Sequence, residues 1–175
     1  KICLSNPLFS KSIFKNLKEK LKKSKLDFIA SLEATHHGPY IEKPSLFIEI
    51  GSTIEEWKDK NAGKLIAETI IKSIKDYENI NSNYKSAIGV GGPHYCPNFN
   101  EIQLGNQYAI SHIISNYNFP INDDILKQTI NASTNPISHA LIDWKGLGNL
   151  EQKNELLKLI ENNGLTIIRT SDAKW

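Results

Sequence analysis

The chain has 175 residues, 39% of them hydrophobic, which is enough for one domain with its own core. Its 21 Lys and Arg against 19 Asp and Glu leave a net charge of +2, and the mean hydropathy of −0.37 excludes a disordered or fibrous chain. No apolar run approaches the roughly 18 residues of a membrane helix, and residues 1–7 lack the long apolar stretch of a secretory signal.

Without a long apolar run no membrane partner is expected, and Cys3 and Cys96, which make neither a disulfide framework nor a CxxC zinc pattern, point to a reducing cytoplasm. Every basic residue except Arg169 is a lysine, and seven lysines fall between Lys11 and Lys25. A charge of +2 is too small to make the whole chain a nucleic-acid binder. A local lysine patch can still hold phosphates as point charges, without the bidentate base reading of Arg.

In chain order, the spacing predicts a first helix over residues 10–24, capped by Ser10, with Ile13, Leu17 and Leu21 as its buried stripe. Residues 44–51, Pro-Ser-Leu-Phe-Ile-Glu-Ile-Gly, read as a short buried strand. Ser52 or Thr53 then caps one long helix through Tyr77, with Glu55 and Glu56 at its positive end. Strands are expected at 85–92, 108–115, 139–143 and 166–169, and helices at 123–132 and 149–163, the last ended by Gly164. The alternation predicts an α/β fold, a largely parallel or mixed sheet flanked by helices.

Four of the five histidines fall in or beside strand ends. Glu33-Ala-Thr-His36-His37-Gly38-Pro39 is the densest cluster. In extended backbone its adjacent histidines point to opposite sides, and Glu33 shares a face with His36 only in a helix. The order matches no metalloprotease motif. Glu49 is flanked by Phe47, Ile48 and Ile50, where a carboxylate must be paired, bind a metal or have a raised pKa. Gly91-Gly92-Pro93-His94-Tyr95 follows a strand, where glycine N–H groups can serve an oxyanion or a phosphate. His112 is read with the others as a site histidine; Cys96 and His139 are read as structural.

These pieces suit two chemistries. A histidine can act as general base on a water attacking an ester or amide. Alternatively, two or three of His37, His94, His112 and Glu49 can bind zinc. There is no GxSxG elbow, phosphate loop or dinucleotide fingerprint.

Glu33–Pro39, Pro44–Ser52 with Glu56-Trp57, Gly91–Tyr95 with Pro97, Ser111–Ile114 with Tyr117, and Ala140–Leu147 occur in the order of the archaeal and plant type of D-aminoacyl-tRNA deacylase, which the chain resembles throughout. The resemblance implies an enzyme that hydrolyses the ester between a D-amino acid and the 3′ end of tRNA. It also implies a fold related to peptidyl-tRNA hydrolase and nucleoside phosphorylases, an association with zinc, and a monomer.

Carried onto this chain, the resemblance gives His36, His37, Glu49, His94 and His112 as catalytic candidates, with His37, His94 and His112 as candidate metal ligands. Gly38, Gly51, Gly91, Gly92 and Tyr95 would contact substrate, and Lys18, Lys22 and Lys25 the tRNA backbone. The alternatives are a zinc-dependent amide hydrolase of small substrates and a tRNA-binding fragment without catalysis. Family members typically carry a further N-terminal segment, so these residues are expected to form the C-terminal part of a longer domain.

Overall fold

The computed structural model describes residues 1–36, 38–80 and 82–173. Its regular elements are α1 (Pro7–Lys23), α2 (Ile54–Trp57), α3 (Lys60–Lys75), β1 (Lys85–Gly91), α4 (Pro97–Leu104), β2 (Tyr108–Ile114), α5 (Asp123–Asn131), β3 (His139–Asp143), α6 (Leu150–Asn162) and β4 (Thr166–Arg169). The strands form one sheet in the order β2-β1-β3-β4, and all neighbours are parallel. The expected α/β layer is present, with a sheet that is parallel throughout rather than mixed.

Parallel neighbours need crossovers, which α4, α5 and α6 supply in turn. On one face Phe99 and Ile102 of α4 pack with Tyr108, Ile110 and Ile113. On the other, Leu126 of α5 and Leu156 and Ile160 of α6 cover Ile88, Val90, Ala140 and Ile142. Burial on both faces is why these strands read as continuous apolar runs. From β1 the chain moves outward to β2, and from β3 it moves outward to β4 on the opposite side. The C-terminal ends of β1 and β3 therefore flank a topological switch point, where open α/β sheets bind ligands.

Three expectations are corrected. The first helix starts a turn earlier than Ser10, because the Asn6 side chain accepts from Phe9 N at 3.0 Å and Pro7 sits in the first turn. Of its predicted stripe only Ile13 is buried; Leu17 and Leu21 are half-exposed in the wall of a groove. The long helix after Thr53 is two helices, divided where the Asp59 carboxylate accepts from Asn61 N and Ala62 N and starts α3 afresh. Residues 44–51 form no strand: they run as exposed or half-exposed chain. Helix α4, opened by Pro97, had no counterpart in the sequence reading.

The outer edge of β2 is finished by side chains. Gln103 Oε1 accepts from Ile110 N at 2.8 Å, Thr35 Oγ1 from Ile113 N at 3.1 Å, and Ser5 Oγ donates to Ser111 O at 3.1 Å. Lys11 Nζ donates to Tyr108 O at 2.7 Å and to Gln103 O at 2.5 Å, lying 4.6 Å from the Tyr84 ring centre. Lys11 is therefore a buried structural residue, only 1% exposed, set among lysines that otherwise face solvent or lie partly covered.

Candidate functional site

The end of β1 turns sharply at Gly91 and Gly92, both with positive φ (93° and 79°). A Cβ on Gly91 would lie 2.6 Å from the Asp143 carbonyl oxygen, and one on Gly92 would lie 3.0 Å from Asp143 Oδ2. Only glycine lets this turn cross the end of β3 so closely. The turn delivers His94 and Tyr95 to a short antiparallel contact with residues 32–34. There Ala34 N donates to His94 O at 2.9 Å, and Cys96 N to Leu32 O at 3.2 Å.

This pairing assembles the site. Glu33 Oε2 lies 3.6 Å from His94 Nε2 and 3.9 Å from His36 Nδ1, and the two imidazole centres are 5.4 Å apart. One ligand atom from each of Glu33, His36 and His94 falls within 4.8 Å of the others. His36 Nδ1 lies 2.9 Å from Ala34 O; a carbonyl only accepts, so Nδ1 carries the proton and Nε2 is the basic nitrogen. The Tyr95 ring stands edge-on to His94 at 5.1 Å and is exposed. Glu33, His36 and Tyr95 lie in the wall of a groove of about 1050 Å³ that runs on past Gly38, Phe47 and Glu49 to α1 and α3.

The first turn of α4 braces both sides of the cluster. Asn98 Nδ2 donates to Asp143 Oδ2 at 2.9 Å. Asn100 accepts from Leu32 N at 2.7 Å and donates to Ser31 Oγ at 2.8 Å, immediately before Glu33. Cys96 Sγ donates to the carbonyls of Pro93 and His94. Burial, aided by the charges of Glu33 and Asp143, pushes its thiol up to about 12. It remains a thiol at neutral pH and is packing, as the sequence reading holds.

His112 belongs elsewhere. It is buried in β2, with Nε2 2.8 Å from Ala132 O and Nδ1 3.1 Å from Thr35 Oγ1. The carbonyl fixes the proton on Nε2, so Nδ1 accepts from the Thr35 hydroxyl, whose oxygen accepts from Ile113 N. With both ring nitrogens spent, His112 can neither bind a metal nor take a proton as placed, and burial lowers its pKa. The structure thus holds His112 outside the Glu33, His36 and His94 group, not among the catalytic and metal candidates with which the sequence reading placed it.

Glu49 is exposed on the groove's rim rather than held between apolar neighbours in a strand, which removes the argument that made it special. His37 lies outside the described residues. Gly38 packs under Phe47, while a Cβ on Gly51 would meet nothing within 4 Å. Lys22 and Lys25 are exposed and make no ion pair among the described residues; Lys18 lies 5.8 Å from the Phe14 ring. Their neighbours Lys20 and Lys23 pair with Glu68 and Glu19.

Glu33 and Asp143 are the site residues the sequence reading left out. The signal for Glu33 is its place in the His-His motif, although local geometry alone brings it to His36 only in a helix.

A family model described as D-aminoacyl-tRNA deacylase matches residues 1–168. The chain belongs to this family. Among curated D-aminoacyl-tRNA deacylases, the one from Pyrococcus abyssi is 43% identical over 69% of this chain and 44% of its own length. That from Methanocaldococcus jannaschii is 36% identical over 91% of this chain and 62% of its own, and that from Archaeoglobus fulgidus 33% over 97% and 59%. A crystal structure of a conserved protein of unknown function superposes with a TM-score of 0.87 at 32% identity, covering 99% of this chain and 60% of that one. The chain thus spans about half the length of the family members it matches. Among the described residues no helix is long and apolar enough to cross a membrane.

Proposed function

We propose that this family member hydrolyses the ester joining a D-amino acid to the 3′ end of tRNA, in the cytoplasm, releasing free D-amino acid and tRNA. The observation that carries this reading is a carboxylate and two imidazoles gathered beside a sheet switch point, in a chain that matches the deacylase family over residues 1–168.

An aminoacyl ester is already activated, so a positioned water, a base and donors for the oxyanion suffice. In this reading a water sits between Glu33 and the imidazoles. An imidazole of His94 or His36 takes its proton as the oxygen attacks the ester carbonyl. The Glu33 carboxylate stabilises the imidazolium that forms, and the proton then passes to the departing ribose oxygen. In this reading amides of the Gly91-Gly92 turn would supply the oxyanion donors. The lysines of α1 and Lys25 hold phosphates without reading sequence, as an enzyme serving many tRNAs requires.

Glu33, His36 and His94 also make a two-histidine, one-carboxylate donor set with atoms close enough to converge on one ion, and these residues would hold the zinc that the sequence resemblance implies. Bound there, zinc would lower the pKa of a water.

The test is deacylation of matched D- and L-aminoacyl-tRNA by the protein, by its Glu33→Gln, His36→Ala and His94→Ala variants, and in the presence of a chelator. Hydrolysis confined to the D-ester, lowered about 10²-fold or more by the His94 or Glu33 change, is the expected result. Equal hydrolysis of both enantiomers, or none, would overturn the reading.

A further inference from the structure

The segment that failed to become a strand has the pattern of one. Leu46, Ile48 and Ile50 alternate with Phe47 and Glu49, yet among the described residues the backbone of 46–50 makes no hydrogen bond; the last in this stretch is Ser45 N to Leu4 O at 2.9 Å. A segment whose side chains alternate between half-buried and exposed and whose N–H and C=O groups are open has what one side of a β-ladder needs.

It lines the groove of about 1050 Å³, opposite Phe14, Leu17 and Leu21 of α1 and Leu65 and Ile66 of α3. Around it Ile29 is 90% exposed and Phe47 53%. In the same wall Ser111 Oγ is buried with no hydrogen-bond partner. The matched family members extend well beyond this chain: 38 to 56% of the length of the three named above lies outside the match.

We infer that residues 46–50 form a docking edge for a β-strand from polypeptide outside this chain, of the kind that makes up the unmatched part of its relatives, and that this strand's apolar face fills the groove. Main-chain hydrogen bonds would set register and affinity, and alternate side chains would enter between α1 and α3. Because Glu33, His36 and Tyr95 share the groove wall, the docked polypeptide would also close one side of the candidate site. The inference uses family membership and geometry, and does not depend on the chemistry proposed for that site.

The test is amide hydrogen exchange on the 175-residue protein, alone and with the unmatched regions of the Methanocaldococcus jannaschii, Archaeoglobus fulgidus and Pyrococcus abyssi relatives added as separate polypeptides. The expected result is a one-to-one complex with at least one of them and exchange slowed about tenfold or more at alternate amides within 46–50. Ile48→Pro and Glu49→Pro remove donors of opposite parity, so at least one should weaken the complex while β1 and β3 keep their protection.

No complex with any of the three would overturn the inference. So would protection of 46–50 that rises with the concentration of this protein alone, which would make the occupant a second copy, or protection given by a tRNA acceptor-stem RNA instead. Deacylation is not the readout, so failure here would leave the proposed activity standing, and the reverse holds too.

Discussion

Asp143, at the end of β3, accepts a hydrogen bond from Asn98, in the first turn of α4, at 2.9 Å, and the same carboxylate lies against Gly92. One buried side chain thus fixes both the helix that braces Glu33 and the turn that presents His94. Asp143→Ala should leave the fold in place, judged by circular dichroism, yet lower kcat by about 10-fold or more through misplacement of His94. Asn98→Asp would set two carboxylates together and should be worse than Asn98→Ala. Steady-state kinetics of all three variants checks this, and unchanged kcat in Asp143→Ala would remove its positioning role.

The glycines separate cleanly. Gly92→Ala places a Cβ at positive φ and 3.0 Å from a carboxylate oxygen, and should destabilise the protein by about 1–3 kcal/mol. Gly91→Ala meets a backbone oxygen at 2.6 Å and should be at least as damaging. Gly51→Ala meets nothing and should stay within about 0.5 kcal/mol. Urea denaturation of the three variants measures the contrast.

Lys11 makes stability depend on pH in the alkaline direction. Burial chiefly, and Lys15 secondarily, bring its amine down to about 7. In the unfolded chain it keeps its proton to about 10.4. Between those values the unfolded state binds more protons, so stability should climb as pH rises from about 7 toward 10 and be flat below that window on this group's account. Lys11→Met should lose the slope. Denaturation midpoints at pH 7 and 9.5, for both proteins, decide it.

His112 acts at the acidic end. Its folded pKa is lowered by burial, so the unfolded state gains a proton first as pH falls below about 6.5, and stability should drop there. His112→Ala removes the bonds to Ala132 and Thr35 and should cost about 2–3 kcal/mol. At low temperature, where the variant remains folded, kcat should survive, unlike in His94→Ala. A kcat lost with the fold intact would restore His112 to the site.

The sequence was most legible where neighbours are supplied by the chain itself. β3 and β4 fall where expected because turn residues bound them and each finds a parallel neighbour in the sheet, β3 buried and β4 half-exposed at its edge. Residues 44–51 carry as good a pattern, but a pattern needs a partner strand, and beyond the single bond from Ser45 N to Leu4 O none of the described residues pairs with their backbone. Glu33 was discounted on local geometry; what brings it to His94 is a non-local bridge to Tyr95, which no spacing rule encodes. His112 looked like the other histidines until Thr35 and Ala132, distant in sequence, were seen to occupy its ring. The lysine run hid Lys11 for the same reason: its burial depends on the carbonyls of Gln103 and Tyr108.

The side-chain finish along β2 has a consequence for assembly. A strand whose outward donors and acceptors are consumed by Lys11, Gln103, Thr35 and Ser5 offers no template to an incoming chain, and the buried amine of Lys11 would have to be stripped of its carbonyls first. Growth of the sheet past β2 is therefore blocked from within. Such a chain directs encounters away from that edge, a safeguard against stacking into fibrils to which helix α1 contributes through Lys11.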